Sequence, residues 1–266
     1  MNTQQLEDMP LVILCGGEGT RLREVTEKIP KPLVDIGGRP ILWHIMKLYS
    51  HYGVRRFILC LGYKGYLIKS YFLDYRTNLS DFTIHMRTRD VEFHNSDGEE
   101  DWDITCAETG LSSGTGGRLS LVREYIDTDT FLFTYGDGLA DIDIGKLVQY
   151  HQDHAGLATV TGVHPASRYG EMHADSGTVV EFNEKPTLPV GFVSGGFFVF
   201  DRGVFDYLDS DPTHMLEQSP LQRMARDRQL MVFGHEGFWI GMDTYRDYQY
   251  VNELWTMGDA PWRVWS

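Results

Sequence analysis

A glycine-rich loop near the start of the chain, residues 16–21, has the composition of a phosphate-binding turn. It reads Gly-Gly-Glu-Gly-Thr-Arg and follows a continuously apolar run at 11–15, which predicts a buried parallel strand. Glycines let the backbone approach a phosphate closely, and open α/β sheets bind ligands beyond the carboxyl ends of their strands. The loop is not a dinucleotide-binding G-x-G-x-x-G, because Leu22 stands at the last glycine position, and it lacks the Gly-Lys-Ser/Thr of a P-loop. Taken alone, the loop is equally consistent with a tight turn.

Two cations accompany this loop. Arg21 lies inside it, where a guanidinium can bind phosphate through two donors, and Lys31 lies between Pro30 and Pro32, in a stretch that the prolines keep from being helical. The alternative for both is a solvated surface side chain. Because the chain has a formal net charge of −14, an anionic substrate would need local cations, backbone N–H groups and a divalent metal.

Two aspartates are candidate metal ligands. Asp137 follows the apolar run 131–135 and is flanked by Gly136 and Gly138, and Asp243 precedes a helical pattern. Mg²⁺ takes carboxylate oxygens and shares them with substrate phosphates. The simpler alternatives are a turn residue at Asp137 and a helix N-cap at Asp243. Sequence separation neither supports nor forbids a site that contains both.

Three further segments carry polar groups suited to binding. A second glycine-rich loop, 110–118, precedes a helical pattern. Glu184 and Lys185 follow a predicted strand, and Ser194 and Gly195 open or interrupt the next one. Such residues at a strand exit could hold sugar hydroxyls and a phosphate, and a surface hairpin is the alternative.

The elements that would position these residues alternate between strand and helix. This alternation predicts an α/β fold, doubly wound and Rossmann-like, with a mixed, mostly parallel central sheet. The predicted strands are 11–15, 57–61, 131–135, 158–163, 179–182, 192–200 and 230–233, and the predicted helices include 41–52, 144–154, 220–227 and 245–257. We predict one domain over 1–266, with a flexible start at 1–10, an antiparallel hairpin excursion at 81–107 that turns at 95–98, and an aromatic tail at 258–266 that docks.

Composition excludes several classes of function. A net charge of −14 argues against a nucleic-acid partner or an anionic membrane surface. The start of the chain is acidic and polar, and no apolar run reaches the roughly 18 residues of a membrane span, so we expect a cytoplasmic protein without a membrane partner. Cys15, Cys60 and Cys106 lack CxxC spacing and are expected to be reduced, and the ten histidines show no zinc-ligand spacing.

In this order, the segments resemble the sugar-nucleotide pyrophosphorylases, and most closely the bacterial glucose-1-phosphate cytidylyltransferase branch. The resemblance covers nearly the whole chain. The resemblance is carried by the segments 14–22, 30–32, 36–46, 62–65, 115–119, 133–138, 184–186, 195–198, 238–239 and 242–244.

The resemblance implies transfer of a cytidylyl group from CTP to a sugar 1-phosphate, α-D-glucose 1-phosphate in that branch, with Mg²⁺ as cofactor and pyrophosphate as the second product. It implies that Arg21 and Lys31 are catalytic, that Asp137 and Asp243 meet to hold Mg²⁺, and that the protein is a homo-oligomer. The implied sugar-phosphate-binding residues are Glu184, Lys185, Ser194 and Gly195. The implied nucleotide-binding residues are Leu14, Cys15, Gly16, Gly17, Glu18, Gly19, Thr20, Arg21, Lys31, Ser112, Gly117 and Gly136.

Alternative functions remain open at this point. The family commonly has asparagine where Ser194 stands, which replaces an amide that could bind a sugar hydroxyl. A transferase that uses dTTP or UTP, or a different phosphorylated acceptor, would have the same fold. A non-catalytic nucleotide-sugar binding protein is a further alternative, although such a protein would be expected to lose Lys31, Arg21 or an aspartate ligand.

Overall fold

The computed structural model describes residues 3–94, 100–164, 171–175, 178–183 and 191–265. Its helices are α1 (Thr3–Asp8), α2 (Arg23–Thr26), α3 (Ile41–His51), α4 (Gly65–Leu73), α5 (Tyr75–Leu79), α6 (Thr115–Leu121), α7 (Ile144–Gln152), α8 (Ser219–Arg226) and α9 (Tyr245–Met257). Its strands are β1 (Leu11–Leu14), β2 (Asp35–Ile36), β3 (Arg39–Pro40), β4 (Arg56–Leu61), β5 (Phe82–His85), β6 (Asp90–Phe93), β7 (Asp103–Glu108), β8 (Thr130–Tyr135), β9 (Gly138–Ala140), β10 (Ala158–Val163), β11 (Glu171–Asp175), β12 (Thr178–Asn183), β13 (Val193–Asp201), β14 (Leu230–His235) and β15 (Trp239–Gly241).

Within these described ranges, one sheet of seven strands runs in the order β14-β10-β13-β8-β1-β4-β7. The strand β1 is parallel to both of its neighbours, β4 and β8, and β4 is parallel to β7. Only β13 runs against its neighbours β8 and β10. The predicted α/β fold with a mixed, mostly parallel sheet is therefore confirmed.

The central strands are continuously apolar because both faces of the sheet are covered. Leu11 and Ile13 point into a core on the face that carries α3, whereas Val12 points into a second core on the opposite face. All three side chains are fully buried. A strand covered on both faces has no polar side to show, so it lacks the alternation of a half-exposed strand.

The antiparallel excursion is shorter than the predicted 81–107. It consists of β5 and β6, which pair with each other from Phe82↔Phe93 to His85↔Asp90. In contrast, β7 joins the central sheet as a parallel edge strand beside β4. Most side chains of this edge strand are only partly buried or exposed, so β7 lacks the continuous apolar run of the inner parallel strands. The turn predicted at 95–98 lies outside the described residues.

Both ends of the described chain pack onto the domain. Residues 3–8, where the sequence suggested flexibility, form α1, and Leu6 and Met9 are buried. Trp262 in the tail is fully buried and its Nε1 lies 3.4 Å from Nδ1 of His44. Burial lowers the pKa of His44 to about 4, so this histidine is neutral at pH 7. In the parts of the chain that are described, none of the helices has the length and apolarity that crossing a membrane requires.

Candidate functional site

A cleft of about 410 Å³ opens at the carboxyl ends of β1 and β8, where an α/β sheet is expected to bind its ligand. All but one of the residues predicted to bind nucleotide line it, and both predicted metal ligands do so as well. These lining residues are Leu14, Cys15, Gly16, Gly17, Glu18, Gly19, Thr20, Arg21, Lys31, Ser112, Gly136, Asp137 and Asp243.

The loop 16–21 is both a tight turn and a wall of the cleft. Gly19 has a φ of +63°, and its carbonyl accepts a 3.0 Å hydrogen bond from the backbone N–H of Leu22. A side chain at Gly17 would meet no protein atom within 4 Å, so this part of the loop is open. The two interpretations of the sequence are therefore compatible, because the turn is what exposes the backbone to the cleft.

Lys31 connects two aspartates that lie far apart in the sequence. Its Nζ donates to Asp137 Oδ2 at 2.7 Å and to Asp243 Oδ1 at 2.8 Å. The antiparallel pairing of β9 with β15 brings these aspartates together, since Asp137 immediately precedes β9 and the backbone N–H of Met242 donates to the Asp137 carbonyl at 2.9 Å. Both predicted metal ligands therefore contact the same ammonium group, that of Lys31.

Thr244, not Asp243, caps the helix α9. The Thr244 side chain accepts from the backbone N–H of Asp247, and the Asp247 carboxylate accepts from the backbone N–H of Thr244 at 2.8 Å, which completes a capping box. The N-cap alternative for Asp243 is therefore wrong, and the carboxylate of Asp243 turns toward Lys31 and Arg21.

Charged side chains of alternating sign extend from the rim of the cleft to its floor. Arg21, 76% exposed at the rim, contacts Asp243 Oδ2 at 2.9 Å, whereas the Lys31 side chain is only 12% exposed. Burial alone would lower the pKa of Lys31, but the charges and hydrogen bonds of Asp137 and Asp243 outweigh burial and raise it. Lys31 is accordingly a permanent cation at the base of the cleft.

The donor set at this point suits a hard divalent cation. Two carboxylate oxygens lie within hydrogen-bond distance of the same nitrogen, and Mg²⁺ characteristically takes one or two carboxylates plus phosphate oxygens and water. Among the described residues, no cluster of three or more His, Cys, Asp or Glu side chains could hold a metal ion alone. A metal at Asp137 and Asp243 would therefore take its other ligands from a bound phosphate and from water.

Arg118 is a cleft residue to which sequence reasoning assigned no role. It is 4% exposed, and its guanidinium donates to the carbonyls of Gly16 and Gly110 at 3.1 and 2.8 Å and to Thr109 Oγ1 at 2.6 Å. None of the described carboxylates forms an ion pair with it, and burial lowers its pKa from the usual range. A buried guanidinium that is satisfied only by neutral acceptors keeps its positive charge beneath the loop.

Gly117 lies behind the cleft wall and does not line it. A Cβ added there would sit 1.8 Å from the carbonyl oxygen of Pro212, and the Gly117 N–H donates to the His214 carbonyl at 3.2 Å. Gly117 therefore serves close packing between α6 and the segment 212–217. By contrast, Gly136 does line the cleft, and it has no room for a side chain, because an added Cβ would lie 2.6 Å from the Leu14 carbonyl oxygen where β8 leaves β1.

Only two of the four residues predicted to bind the sugar 1-phosphate lie in the described part of the chain. Ser194 is exposed on β13, and the carbonyl of Gly195 accepts a 2.7 Å hydrogen bond from Trp239 Nε1. Neither residue lines the cleft described above. Glu184 and Lys185 lie outside the described residues.

Comparison with known proteins places this arrangement in a family. The nucleotidyl transferase family matches residues 11–256. The glucose-1-phosphate cytidylyltransferases of Salmonella typhi and Salmonella typhimurium are each 49% identical to the chain over 259 residues, which is 97% of this chain and 100% of theirs. Among solved structures, the inositol-1-phosphate CTP transferase from T. maritima shares the fold with a TM-score of 0.65 at 18% identity, over 97% of this chain and 99% of that one.

Proposed function

The chain belongs to the nucleotidyl transferase family, and from that premise we propose that it transfers the cytidylyl group of CTP to α-D-glucose 1-phosphate, releasing pyrophosphate. Near-full-length identity of 49% to glucose-1-phosphate cytidylyltransferases supports both the nucleotide and the acceptor. The structural observation that carries the proposal is the convergence of Lys31, Asp137 and Asp243 beside the loop 16–21.

The proposed reaction needs no protein nucleophile. A phosphate oxygen of the sugar 1-phosphate attacks the α-phosphorus of CTP, and the bond from that phosphorus to the bridging oxygen of the β-phosphate breaks as pyrophosphate leaves in line. The protein would position two polyanions that repel each other and neutralise the charge that builds on the α-phosphate and the leaving group.

Each proposed role follows from where the residue lies. Lys31 would donate to phosphate oxygens from the base of the cleft. Arg21 would do so from the rim, where its largely exposed side chain would exchange its contact with Asp243 for one with the substrate. The loop 16–21 would offer backbone N–H groups, with the buried charge of Arg118 adding attraction from beneath. Ser112, on the opposite wall, would contact the nucleotide.

Mg²⁺ is part of the proposal. Asp137 and Asp243 would hold it, and the bound ion would neutralise phosphate charge and orient the triphosphate. Lys31 already joins the two carboxylates, so it would keep them together when no metal is bound. Glu184, Lys185, Ser194 and Gly195 remain the proposed residues for the sugar 1-phosphate.

A cytoplasmic location and a homo-oligomeric assembly also stay proposals. The hairpin of β5 and β6 supports the assembly, because Ile84 and Val91 face each other across it and are 48% and 45% exposed. Light scattering of the purified protein would test the assembly, and a monomer at micromolar concentration would contradict it.

The function is tested with purified protein, Mg²⁺, each nucleoside triphosphate in turn and a panel of sugar 1-phosphates, by measuring pyrophosphate release. We expect the pair of CTP and glucose 1-phosphate to give the highest kcat/KM, and Lys31→Ala to lose on the order of 10²-fold or more. Faster release with UTP or dTTP would refute the cytidylyl assignment alone. If no pair exceeds the Lys31→Ala control, the enzyme assignment itself fails.

A further inference from the structure

A carboxylate outside the predicted site connects two walls of the cleft. One oxygen of Glu217 accepts a hydrogen bond from the Tyr135 hydroxyl, and the other accepts from the Thr115 hydroxyl at 2.6 Å. Tyr135 ends β8, two residues before Asp137, and Thr115 begins α6. Both Tyr135 and Thr115 line the cleft, so Glu217 joins the wall that carries Asp137 to the wall formed by 111–115.

The segment around Glu217 is fixed firmly to the start of α6. Thr115 Oγ1 accepts a 2.8 Å hydrogen bond from the backbone N–H of Leu216, and the backbone N–H of Gly114 donates to the Pro212 carbonyl at 2.9 Å. There is no room for a side chain at Gly114, because its Cβ would lie 2.2 Å from the His214 carbonyl oxygen. The segment 212–217 therefore moves with the wall 111–115, and Glu217 extends from it to the other wall.

Tyr135 is held in the orientation that meets Glu217. Its ring packs edge-on to Phe198, with centroids 6.1 Å apart, and covers Gly196, where an added Cβ would lie 2.4 Å from the ring. The packing on both sides therefore keeps the hydroxyl within hydrogen-bond reach of Glu217, to which it donates.

We infer that Glu217 is a positioning residue that sets the width of the nucleotide pocket through Tyr135 and Thr115. The inference rests on the proposed function, because it takes the cleft to be the CTP site. Glu217 is exposed and does not itself line the cleft, so its removal leaves no buried cavity and changes mainly the distance between the walls. CTP contacts both walls, so its binding depends on Glu217 more strongly than acceptor binding does.

The test compares steady-state constants for Glu217→Ala, Glu217→Gln and Tyr135→Phe with wild type. Glu217→Ala raises KM for CTP about tenfold, while KM for glucose 1-phosphate and kcat stay within about threefold. Glutamine can still accept from one hydroxyl and donate to the other, so Glu217→Gln recovers most of the loss. The double variant with Tyr135→Phe is no worse than Glu217→Ala, since both changes remove the same bond. Glu7→Ala, which removes an exposed carboxylate on α1 that is far along the chain from Thr115, Tyr135 and Glu217, is the matched control.

A titration of CTP without acceptor keeps this inference separate from the proposed function. If wild type binds CTP and Glu217→Ala binds it about tenfold more weakly, the positioning role holds whether or not glucose 1-phosphate is the acceptor. Equal CTP affinity of the two proteins overturns the inference, and so does a parallel rise in KM for both substrates, which general loosening of the fold would cause. Absence of turnover by wild type, with CTP binding intact, counts against the proposed function alone.

Discussion

Replacing Lys31 with methionine should destabilise the protein and increase the stabilisation that Mg²⁺ provides. Methionine keeps most of the volume of the side chain but removes the ammonium that joins Asp137 and Asp243 at 2.7 and 2.8 Å. Hydrogen bonds to charged groups contribute about 1.5–3 kcal/mol each when well buried. The lysine side chain is 12% exposed, but those of the aspartates are 36% and 30% exposed, and solvent weakens the interaction. We therefore expect the unfolding free energy to fall by about 2 kcal/mol in total.

Mg²⁺ should compensate for part of this loss. In the wild type, the Lys31 ammonium competes with a metal for the same carboxylate oxygens, whereas in Lys31→Met the two carboxylates repel each other until a cation binds. At about ten times its dissociation constant, a ligand stabilises the folded state by about 1.4 kcal/mol. We therefore expect Mg²⁺ to raise the unfolding free energy of the variant by about 1 kcal/mol more than that of the wild type, even though the variant should lose most of its activity.

The assay is urea unfolding at pH 7 with and without Mg²⁺. Because the pKa of Lys31 is raised, its stabilisation is complete at pH 7 and is lost only as the pH rises past the ordinary value of 10.5 toward the folded-state value. Lys146→Met is the control, because Lys146 is 77% exposed and pairs with Asp143 at 3.3 Å, a contact expected to contribute under about 0.5 kcal/mol. Equal unfolding free energies for Lys31→Met and wild type would show that Lys31 does not stabilise the pair of aspartates. Equal Mg²⁺ effects on the two proteins would show that Lys31 and Mg²⁺ do not compete for these carboxylates.

Three further predictions concern stability. Burial lowers the pKa of His44 from 6.5 to about 4, so the unfolded chain binds this proton more readily, and wild type should lose about 2 kcal/mol more than His44→Phe between pH 7 and pH 5 in urea unfolding. Trp262→Ala should destabilise by about 3–5 kcal/mol, because the ring is fully buried, and an unchanged urea midpoint would show that the tail does not dock. Gly16→Ala should lower the melting temperature because its Cβ would lie 2.1 Å from Arg118 Nη1, whereas Gly17→Ala, with no atom within 4 Å, should leave it nearly unchanged. Similar melting temperatures for the two alanine variants would contradict that packing argument.

The sequence predicted the right elements where their determinants are local. The apolar run at 11–15 marked a buried strand, and the glycines after it marked the loop that lines the cleft, because burial on both faces and backbone freedom are properties of adjacent residues. The proximity of Asp137 to Asp243 could not be predicted from adjacent residues. It depends on the pairing of β9 with β15, two three-residue strands that no periodicity reveals.

No role was predicted from the sequence for Arg118 or Glu217, for a related reason. Arg118 lies in the second glycine-rich loop, 110–118, but its role depends on the direction of its side chain from α6 toward the Gly16 carbonyl, which residue spacing does not determine. Glu217 lies in a stretch with no recognisable motif, 82 residues from Tyr135. The edge strand β7 was wrongly assigned to the hairpin because its partly buried positions mix polar and apolar residues, unlike the continuous apolar runs of the inner parallel strands.

The proposed cytidylyl transfer is tested most directly by following the α-phosphate of CTP. Wild-type protein is incubated with Mg²⁺, glucose 1-phosphate and CTP labelled with ³²P at the α-position, and the products are separated and counted. We expect label to enter CDP-glucose in step with pyrophosphate release, and Lys31→Met to form on the order of 10²-fold less labelled CDP-glucose. Label that stays in CTP, or that appears as CMP without CDP-glucose, would contradict the proposed transfer.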